Sequence, residues 1–142
     1  MFRVIIAGTR TFDDYDLLCR SMDYYLQNIQ EPIQILCGLA KGADQLGLKY
    51  AHEHGYEVRV FPADWKLYGK AAGPIRNFQM VQNADALVAF WDGKSSGTKN
   101  IIQLAKEVQL NIRVKKYLSN AILKIESIAS DVARILKLKS DL

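Results

Sequence analysis

The chain has little of what a disulfide-stapled or metal-binding protein needs. It contains two cysteines, two histidines and three prolines among 142 residues. Cys19 and Cys37 show no CxxC or other metal-ligand spacing, so we expect both to be small buried residues. His52 and His54 are two residues apart on a predicted helix and therefore point in different directions. The sequence predicts no metal site and no other cofactor.

Long hydrophobic runs and strong charge are also lacking. No apolar stretch approaches the roughly 18 residues that a membrane span needs. The apolar part of the first ten residues, MFRVIIAGTR, is too short for a signal peptide, so we expect a cytoplasmic protein without membrane contact. The net charge of +4 is mild. It favours anionic partners, either phosphate-bearing small molecules or nucleic acid, and does not choose between them.

What the sequence does contain is a regular alternation of apolar strand-like and helix-like segments. This pattern predicts one α/β domain with three layers, in which helices cover both faces of a mostly parallel sheet of about five strands. If the strand order is 3-2-1-4-5, strands one and four flank the crevice at the carboxyl edge of the sheet. The predicted strands are 2–7, 33–37, 57–61, 85–91 and 111–117, the helices between them are 13–29, 41–54, a segment opened by Gly73-Pro74, and 98–109, and 64–73 is expected to be a loop.

The C-terminal segment, residues 118–142, follows the last predicted strand. Ile128, Val132, Ile135 and Leu136 share one helical face, which predicts a helix over 127–139. Residues 119–126 either extend this helix or form an edge hairpin with the fifth strand. We expect the helix to pack on the same domain and cover a sheet face, and a homodimer contact is the alternative.

Polar, glycine-bearing segments follow the predicted strands: Gly8-Thr9-Arg10, Gly38–Asp44, Asp64–Gly73 and Asp92–Thr98. The carboxyl ends of parallel strands lie at one edge, where open α/β sheets bind ligands. Glycine lets a backbone approach a ligand, and a helix N-terminus attracts an anion. Arg76 would add a forked cation. These segments predict a phosphate site.

Each of these features also has an ordinary structural interpretation. Gly8 and Gly38 can simply turn the chain, and Asp44 can simply stabilise a helix N-terminus through its dipole. Arg76 can be a surface residue at an exposed helix start. The two tryptophans are more often packing residues than partners of a base. The convergence of two arginines and several glycines at one edge favours the ligand site.

The sequence resembles the YspA-like branch of the SLOG superfamily, which also contains the Smf/DprA proteins and the LOG phosphoribohydrolases. The resemblance rests on AGTRTFDDYDLL at 7–18, CGLAKGADQLGLKYA at 37–51, ADWKLYGKAAGPIRNFQM at 63–80 and ADALVAFWDGKSSGTKNII at 84–102. It implies a Rossmann-like fold over residues 1–117 and a site for a nucleotide or nucleotide-derived ligand.

The catalytic pattern of the LOG enzymes can be compared with this sequence residue by residue. They carry a catalytic arginine before the fourth strand and a glycine loop that ends in Gly-Thr and is followed by glutamate. Arg76 and Gly97-Thr98 are similar to that pattern, but Asn100 stands at the acidic position and Asp92-Gly93 replaces the loop opening. Glycosidic cleavage builds positive charge on the ribose, which a carboxylate stabilises. Asp92 is the other acid available in the loop.

The sequence is compatible with three functions. The first is binding or sensing of a nucleotide-derived small molecule, with Trp65 or Tyr68 covering a base. The second is a nucleotide hydrolase that uses Arg76 and Asp92. The third, single-stranded nucleic-acid binding, is disfavoured because it rests on charge balance and C-terminal lysines alone. The predicted ligand-binding residues are Gly8, Thr9, Arg10, Gly38, Lys41, Gly42, Asp44, Arg76, Gly93, Gly97, Thr98 and Asn100.

Overall fold

The structure is a computed structural model that describes residues 1–118 and 120–141, with the side chains of 120–123 outside that description. Five strands and six helices follow one another in the described chain. They are β1 (Phe2–Gly8), α1 (Tyr15–Leu26), β2 (Ile33–Cys37), α2 (Ala43–His54), β3 (Glu57–Val60), α3 (Trp65–Tyr68), a 3₁₀ turn (Gly69–Ala71), α4 (Ala72–Gln82), β4 (Ala86–Trp91), α5 (Ser96–Glu107), β5 (Asn111–Lys116) and α6 (Asn120–Ser140).

The strands form one parallel sheet in the order β3-β2-β1-β4-β5, which is the order considered from the sequence. β1 lies between β2 and β4, so Ile5 is paired with Leu36 on one side and with Leu87 on the other. The chain thus leaves β1 toward one side of the sheet and later returns to the other. The crevice of an open α/β sheet lies at this point, beyond the carboxyl ends of β1 and β4.

Two hydrophobic layers cover the sheet. Because successive strand residues point to opposite faces, Val4 and Ile6 pack with α1 and α2, whereas Ile5 and Ala7 pack with α4 and α5. β4 is buried on both faces along most of its length, as its continuous apolar run predicts. The predicted three-layer α/β/α arrangement is confirmed.

Single residues set one end each of α1 and α2. The Asp14 carboxylate caps α1 by accepting a hydrogen bond from the Leu17 N–H at 3.0 Å. Gly55 ends α2 in the left-handed conformation with φ of +67°.

The predicted loop over 64–73 is wrong. The Asp64 carboxylate accepts from the Leu67 N–H at 3.0 Å and starts the short helix α3, which Gly69 ends with φ of +56°. A 3₁₀ turn then leads into α4 at Ala72, ahead of the predicted start. A local cap followed by four residues without a helix breaker is enough to form one helical turn.

The helix α6 begins at Asn120, so residues 120–126 extend the C-terminal helix rather than forming a hairpin, and residue 119 lies outside the described part. The described side chains of this helix, residues 124–140, are all exposed. The expected covering of a sheet face is therefore not seen in them. Among the described helices, none is long and apolar enough to cross a membrane.

Candidate functional site

Thr9 links the ends of β1 and β4 to the start of α2. Its side chain is buried, with 5% exposure. The Thr9 carbonyl oxygen accepts a hydrogen bond from the Ala43 N–H at 3.4 Å, and its hydroxyl oxygen accepts from the Asp92 N–H at 3.2 Å. Three of the predicted polar segments therefore meet at one residue, at the carboxyl edge of the sheet.

Close packing explains two of the predicted glycines. A Cβ on Gly8 would lie 2.8 Å from the Ala43 Cβ and would collide with the Phe90 carbonyl oxygen. Gly42 has φ of +75°, and a Cβ there would lie 2.5 Å from the Arg10 carbonyl oxygen. Both positions need glycine for the meeting of β1, β4 and α2, whether or not a ligand is present.

Arg76 is buried at the centre of this region, with 9% exposure. Its Nη1 donates a hydrogen bond to the Gly38 carbonyl oxygen, and its Nε donates to the Asn77 Oδ1 at 3.0 Å. These contacts use two of the five guanidinium N–H donors. The interpretation of Arg76 as an exposed surface residue is wrong, because the side chain ties α4 to the end of β2.

Asp44 lies beside this arginine with 5% exposure. Burial raises the pKa of its carboxyl to about 6, against the opposing effects of the Ala40 N–H, the Arg76 charge, the Gly38 backbone and the Arg10 charge. The Ala40 N–H donates to Asp44 Oδ2 at 3.1 Å. Burial also lowers the pKa of Arg76, while the Asp44 charge opposes that shift. The edge thus holds a carboxyl that changes charge near neutral pH.

Asn77 is a site residue that sequence reasoning did not assign. It is buried, with 6% exposure, and its Nδ2 donates to Asn100 Oδ1 at 2.9 Å and to the Gly97 carbonyl oxygen at 3.4 Å. Through Asn77, the Arg76 guanidinium is connected to the start of α5. The available signal was an asparagine three residues before the buried Met80, on the face of α4 that packs inward.

The loop between β4 and α5 is shaped by Asp92. Its Oδ1 accepts hydrogen bonds from the Lys94 N–H at 2.9 Å and the Ser95 N–H at 2.8 Å. These contacts, led by the Ser95 N–H, hold the pKa of Asp92 below its usual range. Asp92 is therefore an ionised turn residue and a poor proton donor.

The start of α5 leaves backbone groups open to a ligand. Ser95 caps the helix, and its Oγ accepts from the Thr98 N–H at 3.5 Å and from the Thr98 hydroxyl at 3.2 Å. Within the described chain, no hydrogen-bond acceptor is found for the N–H groups of Ser96 and Gly97. A Cβ at Gly93 or Gly97 would meet nothing within 4 Å. An anion can approach this helix end without steric conflict.

Exposed groups also lie on the loops that follow β1 and β2. Arg10 and Lys41 are exposed cations on the loops after β1 and β2. Leu39, between Gly38 and Lys41 in the β2–α2 loop, has φ of +61°, an uncommon backbone conformation for a non-glycine residue. Strained loop residues of this kind are enriched at binding sites.

The aromatic residues divide into two kinds. Trp65 and Tyr68 on α3 are about half exposed, at 51% and 47%, beside the start of α4. Trp91 instead donates from its indole Nε1 to the Ser95 carbonyl oxygen at 3.1 Å, and Lys116 lies over its ring at 5.2 Å. The packing interpretation therefore holds for Trp91, while the α3 aromatics stay accessible.

A separate cavity of about 210 Å³ lies at the amino edge of the sheet, between α1 and the starts of β1, β4 and β5. Its lining includes Tyr25 and Arg113 but none of the predicted site residues. The Arg113 guanidinium donates to Asn111 Oδ1 at 2.8 Å and to the Ile112 carbonyl oxygen at 3.0 Å. The predicted site residues meet at the carboxyl edge instead, which remains the candidate site.

Comparison with known proteins connects this geometry to a family. A model of the YspA, cpYpsA-related SLOG family matches residues 2–68. The gene 61 protein of Mycobacterium phage D29 is 30% identical over 118 residues, which are 79% of this chain and 94% of the phage protein. The chain belongs to the YspA, cpYpsA-related SLOG family. The stated resemblance is confirmed.

Two solved structures share the fold of this SLOG-family chain. DNA processing protein A (DprA) from Streptococcus pneumoniae matches with a TM-score of 0.61 and 16% identity, over 80% of this chain and 49% of that one. The structural genomics target TM1055 matches with a TM-score of 0.58 and 20% identity, over 79% and 72% of the two chains. The chain thus spans about half the length of the DprA structure, and these likenesses concern the fold.

Proposed function

We propose that this domain binds or senses a nucleotide or nucleotide-derived ligand, with a phosphate at the N-terminus of α5. The observation that carries the proposal is the open helix start at Ser96 and Gly97, held in place by the buried network around Asn77. A preorganised anion site of this kind costs little reorganisation on binding. Membership of the SLOG family supports a nucleotide-related role.

The phosphate would be recognised by backbone groups and by exposed cations. The N–H groups of Ser96 and Gly97 and the dipole of α5 favour a negative charge. Arg10 and Lys41 are exposed and therefore able to reach a ligand in front of the loop. Hydrogen bonds to a charged group contribute about 1.5–3 kcal/mol each. Arg76 would act chiefly by keeping Gly38 and Asn77 in position, because two of its donors are already engaged.

The base would lie toward α3, where Trp65 and Tyr68 are half exposed. Stacking on such rings is tolerant of base identity, since every base has an aromatic face. The predicted function is therefore phosphate recognition with base contacts that tune selectivity.

The hydrolase alternative is weaker at this site. Asn100 is neutral, and its Oδ1 accepts from Asn77. One oxygen of Asp92 is held by two backbone N–H groups of its own loop. Asn100 therefore offers no carboxylate to stabilise a developing positive charge on ribose, and Asp92, which stays ionised and shapes its own loop, is a poor proton donor. We also favour a small molecule over nucleic acid, because the charge balance is mild and the basic residues form no aromatic-basic pattern.

Calorimetry with a panel of nucleoside monophosphates and the matching nucleosides tests this function. We expect the monophosphates to bind and the nucleosides to bind at least about tenfold more weakly. Gly97→Ala should fold normally, because its Cβ meets nothing within 4 Å, yet should weaken binding by occupying the approach to the helix start. Gln103→Ala, an exposed change farther along α5, is the matched control.

Equal affinity for nucleosides and monophosphates would contradict a phosphate site. Absence of binding across the panel, together with no nucleotide released from the purified protein in mass spectrometry, would contradict the function as a whole.

A further inference from the structure

The C-terminal helix α6 displays a stripe of large apolar side chains to solvent. Ile125, Ile128, Val132 and Ile135 are 65%, 55%, 50% and 51% exposed. Their spacing of three, four and three residues places them on one side of the helix, as at the a and d positions of a coiled coil. Soluble domains rarely leave such a continuous apolar surface uncovered, so the stripe indicates an interaction surface.

The polar residues of α6 argue against a lipid surface as its partner. Among the described side chains of α6, residues 124–140, four are cationic and two are anionic, and there is no aromatic residue. Helices that lie on membranes are rich in lysine and arginine on the polar face and use tryptophan or phenylalanine on the other. The mixed charge fits another protein helix better.

The charges beside the stripe are complementary to a second copy in one orientation. If Ile125 and Val132 are a positions, Lys124 and Asp131 are the two g positions beside them. In an antiparallel pair with Ile125 opposite Ile128 of the second copy, Lys124 faces Asp131 of that copy, and symmetry produces the contact twice. A parallel pair would place Lys124 opposite Ala129 and Asp131 opposite Leu136, without charge pairing.

We propose that α6 mediates self-association by antiparallel pairing with α6 of a second copy. Ile125 and Ile128 of the two copies then pack against each other in the shared interface, and two Lys124–Asp131 pairs flank them and set the orientation. Asp131 is accessible for this contact, because its side chain is 58% exposed while Arg134 of the same helix lies 3.2 Å from its Oδ1. This proposal does not depend on the nucleotide site.

Sedimentation velocity of the full chain over a range of concentrations tests the pairing. We expect a concentration-dependent dimer for the natural sequence. Ile128→Glu should produce a monomer with unchanged circular dichroism in the sheet domain, because it puts a charge into the stripe. Ser130→Glu, on the opposite side of α6, is the matched control and should remain dimeric.

Charge reversal tests the orientation. Lys124→Asp and Asp131→Lys should each weaken the dimer about tenfold, since each turns two attractive contacts into two repulsive ones. The double variant, Lys124→Asp with Asp131→Lys, should regain the natural affinity. A dimer that is insensitive to either single change overturns the antiparallel arrangement.

Three outcomes overturn self-association itself. In the first, the natural chain stays monomeric at every concentration and α6 is protected from hydrogen exchange, which indicates that α6 folds back on its own domain. In the second, the chain stays monomeric and binds vesicles of anionic phospholipid, which indicates that α6 binds a lipid surface. In the third, the chain forms a dimer that Ile128→Glu leaves intact, which places the interface elsewhere.

Discussion

Replacing Gly38 with alanine perturbs the network under the carboxyl edge by one methyl group. The added Cβ would lie 2.8 Å from the Arg76 Cζ and 3.0 Å from the Asp44 Oδ2, and closer still to the Arg76 Nη1. Gly38 itself is buried and its carbonyl oxygen accepts from Arg76, so the backbone has little room to move. Either the arginine shifts, or the methyl group is accommodated under strain.

Both responses lower the free energy of unfolding by a similar amount. Forcing an extra methyl into a packed site costs about 1–3 kcal/mol. Displacing Arg76 loses a hydrogen bond to a charged group, which contributes about 1.5–3 kcal/mol. The protein adopts the response with the lower free-energy cost, so we expect Gly38→Ala to destabilise it by about 1–3 kcal/mol. For a chain of this size that lowers the melting temperature by roughly 2–12 °C.

Thermal unfolding monitored by circular dichroism measures this effect, with Gly97→Ala as the matched control. A Cβ at Gly97 meets nothing within 4 Å, and its φ does not lie in the left-handed region, so this change should leave the melting temperature almost unaffected. Equal melting temperatures for Gly38→Ala and the natural protein would refute the close packing of Gly38 against Arg76. Equal losses in the two variants would refute the openness of the α5 start.

Three other predictions concern the charges and the chemistry of the edge. Burial raises the pKa of Asp44 from 3.8 to about 6, so the native state keeps a proton that the unfolded state releases; relative to Asp44→Asn, stability should fall by up to about 3 kcal/mol as the pH rises from 4 to 7, measured by urea unfolding. Protonation of Asp44 also removes a negative charge from the edge, so the affinity for a monophosphate, relative to that of Asp44→Asn, should rise as the pH falls through 6. Calorimetry that shows the same pH dependence of affinity in both proteins would contradict this. Chromatography should detect little free base after incubation with AMP, because Asn100 is neutral, and rapid turnover that Asp92→Asn abolishes would establish the hydrolase instead.

Much of the fold follows from local sequence. β1 and β4 are continuous apolar runs because they are buried on both faces, and alternation with helices implies parallel connections. Helix ends follow from single residues such as Asp14 and Gly55, whose effects are local. The loop over 64–73 was missed because one capped turn of helix carries no periodic hydrophobic signal.

The candidate site is less local, and the sequence predicts it less completely. The location of the site at the strand ends follows from topology. The hydrogen bond from Arg76 to the Gly38 carbonyl oxygen joins residues 38 positions apart, and no spacing rule identifies such a contact. Asn77 was missed for the same reason, since its partners lie 20 and 23 residues away. An amphipathic pattern predicts the apolar face of α6 but does not specify which surface, if any, covers it.

Titration of the isotope-labelled protein with AMP, followed by amide chemical shifts in NMR, tests the phosphate site most directly. We expect large, saturable shifts for the backbone N–H groups of Ser96 and Gly97 and smaller ones for Gly8–Arg10, with the amide of Gln103 unchanged. Inorganic phosphate should shift the same two α5 amides at higher concentration. Shifts confined to the cavity at the amino edge, or no shifts at α5 while AMP binds, would contradict the account.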